Sequence, residues 1–199
     1  MNKPVVFKFL DALYFAFPGV ALIILGVYLA VKNTEGALLT GVVGLCFFGI
    51  WVSVLWSRKK LIDSYPIVTK YNVLIKHNGY HITRLEAEDA IKKLLALYQL
   101  HWLDAKEALT SEYTWVEFVP GTIEIKGIGK PMLVAGFVRA GGRTVKVGFF
   151  DSKTKKPDST VPLERTAFAH ELGHIILGSV LNNWNESLHH STTKEKGLP

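Results

Sequence analysis

Two histidines and a glutamate near the C-terminal end of the chain have the types and spacing of a catalytic metal site. His170, Glu171 and His174 form the pattern H-E-x-x-H within an apolar helical stretch. Residues four apart lie on one face of a helix, so the two imidazoles point at a single position that suits a zinc ion. Glu171 lies beside that position and can accept a proton from a zinc-bound water. The pattern therefore indicates hydrolysis by a metal-activated water, with Glu171 as general base.

A catalytic zinc site has three protein ligands and one open position, so this pattern requires a third ligand. The candidates are Glu186, His189, His190 and Glu195, which follow the motif after a short connection. A helix that runs to about Leu181 rises roughly 10 Å past His174, and about seven residues of returning helix bring the chain back to the metal. This geometry favours His189, whereas an earlier helix end favours Glu186, and His190 ranks third. Whichever of His189 and His190 does not bind the metal is placed to stabilise an oxyanion.

Two apolar runs precede the rest of the chain. Residues 12–31 and 37–56 contain no charged side chain, and each run of 20 residues is long enough to cross a bilayer core of about 30 Å as a helix. We expect residues 1–56 to form a transmembrane helical hairpin that binds the lipid bilayer. Residues 57–199 are then long enough for one globular domain.

Basic residues flank this predicted hairpin. Lys3 and Lys8 precede it and residues 58–60 are all basic, whereas the connecting segment has Lys32 as its basic residue. By the positive-inside rule, both termini and the globular domain are expected in the cytoplasm.

The globular part has the pattern of an α+β domain with a mainly antiparallel sheet ahead of the motif helix. A capping box of Thr83 and Glu86 predicts a helix to about His101, and a second helical piece follows. The motif helix is expected to begin at residues 161–165.

Strand patterns cover four ranges, residues 113–119, 122–126, 132–140 and 144–150, with a turn at Gly141 and Gly142 between the last two. A hairpin is also expected at residues 71–82, with its turn at Asn78 and Gly79. We expect residues 144–150 to be the edge strand to which an extended substrate adds.

Residues 163–177 resemble the motif helix of the ImmA/IrrE family of zinc peptidases. The resemblance implies a zincin-like domain that binds Zn²⁺ and cleaves proteins, which in that family are transcriptional repressors. The spacing from His174 to His189 resembles that of SprT-type peptidases, whose third zinc ligand is a histidine. Both resemblances imply a zinc metallopeptidase.

The charge distribution narrows the expected partners. Residues 57–199 contain 20 Lys and Arg against 15 Asp and Glu, without a basic cluster interleaved with aromatic residues, so no nucleic acid is predicted. Cys46 is the single cysteine, which excludes a disulfide within one chain and a cysteine-based zinc site. The sequence thus favours a membrane-anchored, zinc-dependent endopeptidase with a protein or peptide substrate. The alternative is a non-catalytic membrane protein that retains a peptidase-like fold as a partner-binding subunit.

Overall fold

The structure is a computed structural model that describes residues 3–32, 37–125, 131–139 and 142–199 of the chain. For residues 3–16, 58, 186 and 187 it describes the backbone alone. The chain divides into two compact units, Met1–Ser64 and Tyr65–Pro199. The candidate site belongs to the second unit.

The first unit is a closely packed pair of antiparallel helices, α1 (Lys3–Val31) and α2 (Ala37–Asp63). A Cβ added to Gly26 would lie 2.7 Å from the backbone nitrogen of Gly41, and one added to Gly44 would lie 2.8 Å from that of Ile23. Small residues therefore let the two backbones approach closely. Among the described residues, α2 is the one helix long and apolar enough to cross a membrane, and Phe17–Val31 is a shorter apolar helix.

The second unit contains a five-stranded sheet and a separate two-stranded ribbon. In chain order the strands are β1 (Ile67–Val68), β2 (Val73–Lys76), β3 (Thr114–Pro120), β4 (Ile123–Ile125), β5 (Met132–Val134), β6 (Gly136–Val138) and β7 (Thr144–Phe149). The five-stranded sheet has the order β1-β2-β3-β7-β6, and β4 pairs with β5 in the ribbon. The described part of the chain thus forms a mixed α+β fold.

Four helices and one 3₁₀ turn accompany these strands. They are α3 (Arg84–Gln99), α4 (Ala105–Thr110), the turn Leu163–Arg165, α5 (Phe168–Val180) and α6 (Glu186–Lys196). The predicted capping box at the start of α3 is confirmed, because the Glu86 amide donates to the Thr83 hydroxyl at 3.2 Å and the Thr83 amide donates to the Glu86 carboxylate at 2.8 Å. The Thr83 hydroxyl also donates to the Glu86 carboxylate at 2.7 Å, and this bond, followed by that from the Thr83 amide, lowers the pKa of the Glu86 carboxyl.

The core lies between the sheet and helices α3 and α5. Side chains of α3 such as Ile91 and Tyr98, and side chains of α5 such as Leu172 and Ile176, are completely buried. They belong to one apolar cluster with Val116 of β3 and its neighbours on β7. Burial of this face fixes α5, and with it the H-E-x-x-H pattern, against the sheet.

The centre of the sheet differs from the predicted antiparallel arrangement. Strand β3 pairs in parallel with both β2 and β7, whereas β1 and β6 pair antiparallel at the two edges. Parallel pairing requires a long crossover, which α3 and α4 provide between β2 and β3. The antiparallel prediction therefore holds at the edges and in the β4–β5 ribbon.

The hairpin predicted at residues 71–82 is wrong, although its turn forms. Asn78 and Gly79 have positive φ angles of 44° and 88°. Residues 80–83, which follow this turn directly, form no strand. Instead, the ring of Tyr80 stacks on Phe118 with 4.4 Å between centroids, and the chain enters α3. This contact is distant in sequence, so the Asn-Gly pattern could not reveal it.

The predicted edge strand is also wrong. Residues 144–150 largely form β7, which is interior because it pairs with β3 on one side and β6 on the other. The predicted pairing of β6 with β7 is correct, although Gly141 of the connecting turn lies outside the described residues. The edge strand of the described sheet on this side is β6 (Gly136–Val138), and it is the strand that borders the motif helix.

Candidate metal centre

Helix α5 presents the motif at the boundary between core and solvent. It begins at Phe168 and not at residues 161–165, because Thr166 has an extended backbone, with φ −89° and ψ 167°, that separates the 3₁₀ turn from the helix. One face of α5 is fully buried, whereas His170 and His174 are partly exposed in a cleft. The carboxylate-bearing residue between them, Glu171, is only 5% exposed.

The chain reverses direction after α5 through a short polar segment. Asn182 adopts a left-handed conformation with φ 46°, and the Asn183 amide donates to the carbonyl of Gly178 at 3.1 Å. The ring of Trp184 packs against Gly178, where an added Cβ would lie 2.5 Å from the ring. Helix α6 begins directly after this segment. The structure therefore contains the predicted second helix that returns the chain to the motif.

This return brings four histidines together. One ring nitrogen from each of His170, His174, His189 and His190 lies within 4.8 Å of the others. The ring centroids of His174 and His189 are 3.5 Å apart, and those of His170 and His190 are 5.2 Å apart. Zinc–nitrogen bonds of about 2.0–2.1 Å in a tetrahedral site place ligand nitrogens roughly 3.4 Å apart, so small side-chain rotations close this cluster around a metal ion. The described cluster is therefore a candidate metal site with imidazole donors.

His189 has the properties of an imidazole ligand. It is 5% exposed, and neither ring nitrogen has a hydrogen-bond partner of normal geometry among the described residues. Burial, followed by the nearby His174, His170 and His190, lowers the pKa of His189 to about 3, and the Gly173 carbonyl opposes this shift without meeting hydrogen-bond geometry. The ring is therefore neutral at pH 7. A buried neutral imidazole with no partner is costly unless a bound metal satisfies it.

Glu171 is held against the edge strand. A Cβ added to Gly136 of β6 would lie 2.6 Å from the Cγ atom of Glu171 and 2.7 Å from the Cβ atom of Ala167. The absence of a side chain at Gly136 thus lets β6 approach α5 closely. This contact directs Glu171 along the same cleft as the histidines.

The cleft in front of the cluster has a volume of about 460 Å³. The lining includes the four histidines, Glu171 and strand β6, together with the apolar side chains of Met132 on β5 and Phe137 on β6. Met132 is 62% exposed and Phe137 is 36% exposed. The cleft therefore combines a polar cluster with an accessible apolar wall and an edge strand.

The structure brings together five of the seven residues that the sequence singled out, and Glu195 is not among the described residues that line the cleft. His170, Glu171, His174, His189 and His190 all line this cleft. Glu186 is the first residue of α6, and its side chain lies outside the described residues. Sequence reasoning missed Gly136, Trp184 and Tyr98. A glycine within a strand pattern signals a close backbone approach and would have indicated the first of them.

The chain was also compared with known proteins. No protein-family model, curated protein or solved structure matches it. The interpretation of this centre therefore depends on the described residues alone.

Proposed function

We propose that this protein is a membrane-anchored, zinc-dependent endopeptidase. The observation that carries the proposal is the convergence of His189, from α6, on His170 and His174 of the H-E-x-x-H pattern. These three imidazoles supply the three nitrogen ligands that a catalytic zinc site needs, and Glu171 has the position of its general base.

The residues of the site then have separate tasks. His170, His174 and His189 would hold the zinc ion, which would act as a Lewis acid and favour deprotonation of the attacking water. Glu171 accepts the proton of the attacking water and donates it to the departing amine. His190, the exposed member of the cluster, donates a hydrogen bond to the oxyanion that forms on the scissile carbonyl.

The substrate is an extended polypeptide segment that adds to the edge of β6. The Gly148 amide donates to the Ala135 carbonyl at 2.7 Å, and hydrogen-bonded pairs alternate along an antiparallel ladder. The backbone groups of Gly136 and Val138 therefore point away from β7 and are available to a substrate strand. Apolar substrate side chains fit the wall formed by Met132 and Phe137.

Helix α2 provides the membrane anchor in this proposal. It is apolar over a length sufficient to span a bilayer, and it ends directly before the second unit. An anchored protease meets membrane-associated substrates at a raised local concentration. We propose that the apolar part of α1 completes a hairpin and that the second unit faces the cytoplasm.

A direct test measures zinc content and peptide cleavage on the detergent-purified full chain. We expect about one zinc per chain in the wild type and its loss in His174→Ala and His189→Ala. A library of fluorogenic peptides with apolar residues around the scissile bond is expected to show cleavage by the wild type. A wild type that takes up no zinc when zinc is offered would falsify the proposal.

The fourth histidine favours a second candidate function. Four imidazoles around one ion form a closed site without an open position for water, as in structural zinc centres. The protein would then be a non-catalytic membrane subunit whose zinc stabilises a partner-binding fold. His190→Ala separates the two functions: the endopeptidase keeps its zinc in this variant, whereas the closed site loses zinc affinity.

A further inference from the structure

A second buried polar group lies next to the candidate metal centre. Tyr98 of α3 is 0% exposed, and its hydroxyl has no hydrogen-bond partner among the described residues. Burial raises the pKa of this phenol, so the group is neutral at any pH at which the protein works. A neutral phenol both donates and accepts hydrogen bonds. An unpartnered buried hydroxyl is unusual and calls for an explanation.

The position of this hydroxyl is defined by Gly173, which lies between the two motif histidines in the sequence. A Cβ added to Gly173 would overlap the Tyr98 hydroxyl and would lie 3.4 Å from Nε2 of His189. The hydroxyl and Nε2 therefore approach the same side of Gly173. Both are buried, and neither has a partner of normal geometry in the described chain.

We propose that Tyr98 is a positioning residue of the metal centre, whose hydroxyl oxygen accepts a hydrogen bond from Nε2–H of His189 once the His189 ring turns to bind the metal. A neutral imidazole has one N–H and one lone pair, so a proton on Nε2 leaves the lone pair on Nδ1. The Tyr98 contact thus selects the tautomer and ring orientation in which Nδ1 binds the metal. In many zinc proteins, a residue that hydrogen-bonds to a metal ligand without touching the metal changes the metal affinity.

The proposed contact gives Gly173 a role as well. Because Gly173 has no Cβ, there is room beside α5 for both the Tyr98 hydroxyl and the His189 ring. The Gly173 carbonyl is the competing acceptor for the His189 proton. This inference rests on the proposed zinc site, because a positioning role requires that His189 bind the metal.

The test compares zinc affinity and stability in Tyr98→Phe and in a matched control. Tyr80→Phe is that control, since Tyr80 is also buried, at 3% exposed, and its hydroxyl donates to the Val161 carbonyl at 2.7 Å outside the site. For the detergent-purified full chain, the zinc dissociation constant is measured by competition with a chromophoric chelator. Thermal unfolding of the zinc-free protein and the visible spectrum of the cobalt-substituted protein are recorded in parallel.

We expect Tyr98→Phe to weaken zinc binding about 10- to 100-fold and to shift the cobalt spectrum. Its zinc-free form should unfold at an equal or higher temperature, because an unpartnered hydroxyl is removed. Tyr80→Phe should show the opposite pattern, with lower stability and unchanged zinc affinity.

Equal zinc affinity in Tyr98→Phe and wild type would overturn the inference and assign the His189 proton to the Gly173 carbonyl. The proposed zinc site would survive that result, because wild-type binding is measured in the same experiment. A wild type that binds neither zinc nor cobalt would overturn both proposals.

Discussion

Glu171 is confined to one place by its neighbours. It is 5% exposed and lies between α5 and the glycine of β6, where a side chain would collide with it. A group that must transfer a proton benefits from such confinement, since small displacements from the reacting geometry are costly in rate. The proposed general base is therefore fixed by packing against Gly136 and Ala167.

Replacement of Glu171 by glutamine tests this base. Glutamine has nearly the same shape but accepts no proton at neutral pH, so Glu171→Gln should retain zinc and lower kcat by about 10²- to 10⁴-fold. Glu164→Gln, an exposed position on the 3₁₀ turn, is the matched control and should cleave normally. Undiminished cleavage by Glu171→Gln would remove Glu171 from the mechanism.

Gly136→Ala tests the confinement itself. The added Cβ would lie 2.6 Å from the Glu171 Cγ atom, so either β6 or the carboxylate must shift. We expect zinc content to remain and cleavage to fall by about 10²-fold, since that loss corresponds to a misplacement of about 1 Å. Gly49→Ala in α2, where no atom lies within 4 Å of the added Cβ, is the control. Equal activity of Gly136→Ala and wild type would show that the approach of β6 is unimportant.

Tyr80 gives the stability of the protein an alkaline limit. Burial, with Glu164 and Glu86 nearby, raises the pKa of Tyr80 from 10.0 to about 12. Between these values the unfolded chain loses the phenolic proton while the folded protein retains it, so the free energy of unfolding falls as pH rises from 10 to 12. The loss is on the order of 1–3 kcal/mol. Denaturant unfolding at pH 9 and 11.5 should show a smaller decrease for Tyr80→Phe than for wild type, and an identical decrease would contradict the assignment.

At the scale of elements, the pair α5 and α6 builds the site. The left-handed Asn182 and the Trp184 ring on Gly178 reverse the chain within five residues, from Leu181 to Asn185, between two helices. His189 then faces the motif from the first turns of α6, and its amide donates to the Asn185 carbonyl at 3.1 Å. A ligand on a helix is held more firmly than one on a loop.

The sequence predicted these helices better than it predicted the sheet, for a physical reason. The capping box, the H-E-x-x-H face and the length of the return depend on neighbours within a few residues, so local rules apply to them. Strand order depends on contacts far apart in sequence. Tyr80 packing on Phe118, and β6 covering the outer side of β7, involve partners that no local pattern identifies. The burial of Tyr98 follows from helical spacing along α3, whereas the location of its hydroxyl depends on contacts with α5.

Strand β6 offers a test at this scale. Val138→Pro removes an outward-pointing amide without a new charge, so a substrate strand loses one backbone hydrogen bond. We expect retained zinc and a KM for extended peptides raised by about fivefold, which corresponds to the roughly 1 kcal/mol of one hydrogen bond. Val138→Ala, which keeps the amide, is the control. If both variants have the wild-type KM, the substrate does not pair with β6.

For the whole molecule, the proposed membrane anchor would determine which proteins reach the candidate site. The described chain has one helix that qualifies by length and apolarity as a span, and the glycines at the contact of α1 and α2 allow a close helix pair. A hairpin of two membrane-spanning helices returns the chain to the side of the membrane from which it started. In the proposed topology, the basic residues on both sides of the hairpin predict that the second unit lies in the cytoplasm.

Cysteine labelling in intact cells tests this topology. In a Cys46→Ser background, a single cysteine replaces Asp158, on a loop of the second unit, or Asn33, in the predicted external connection. A membrane-impermeant maleimide should label Asn33→Cys and leave Asp158→Cys unlabelled until the cells are permeabilised, because a charged reagent does not cross the bilayer. Ready labelling of Asp158→Cys in intact cells would instead place the zinc cleft outside. Protection of both sites before permeabilisation would contradict the hairpin, since a polypeptide that does not cross the membrane leaves every residue on one side.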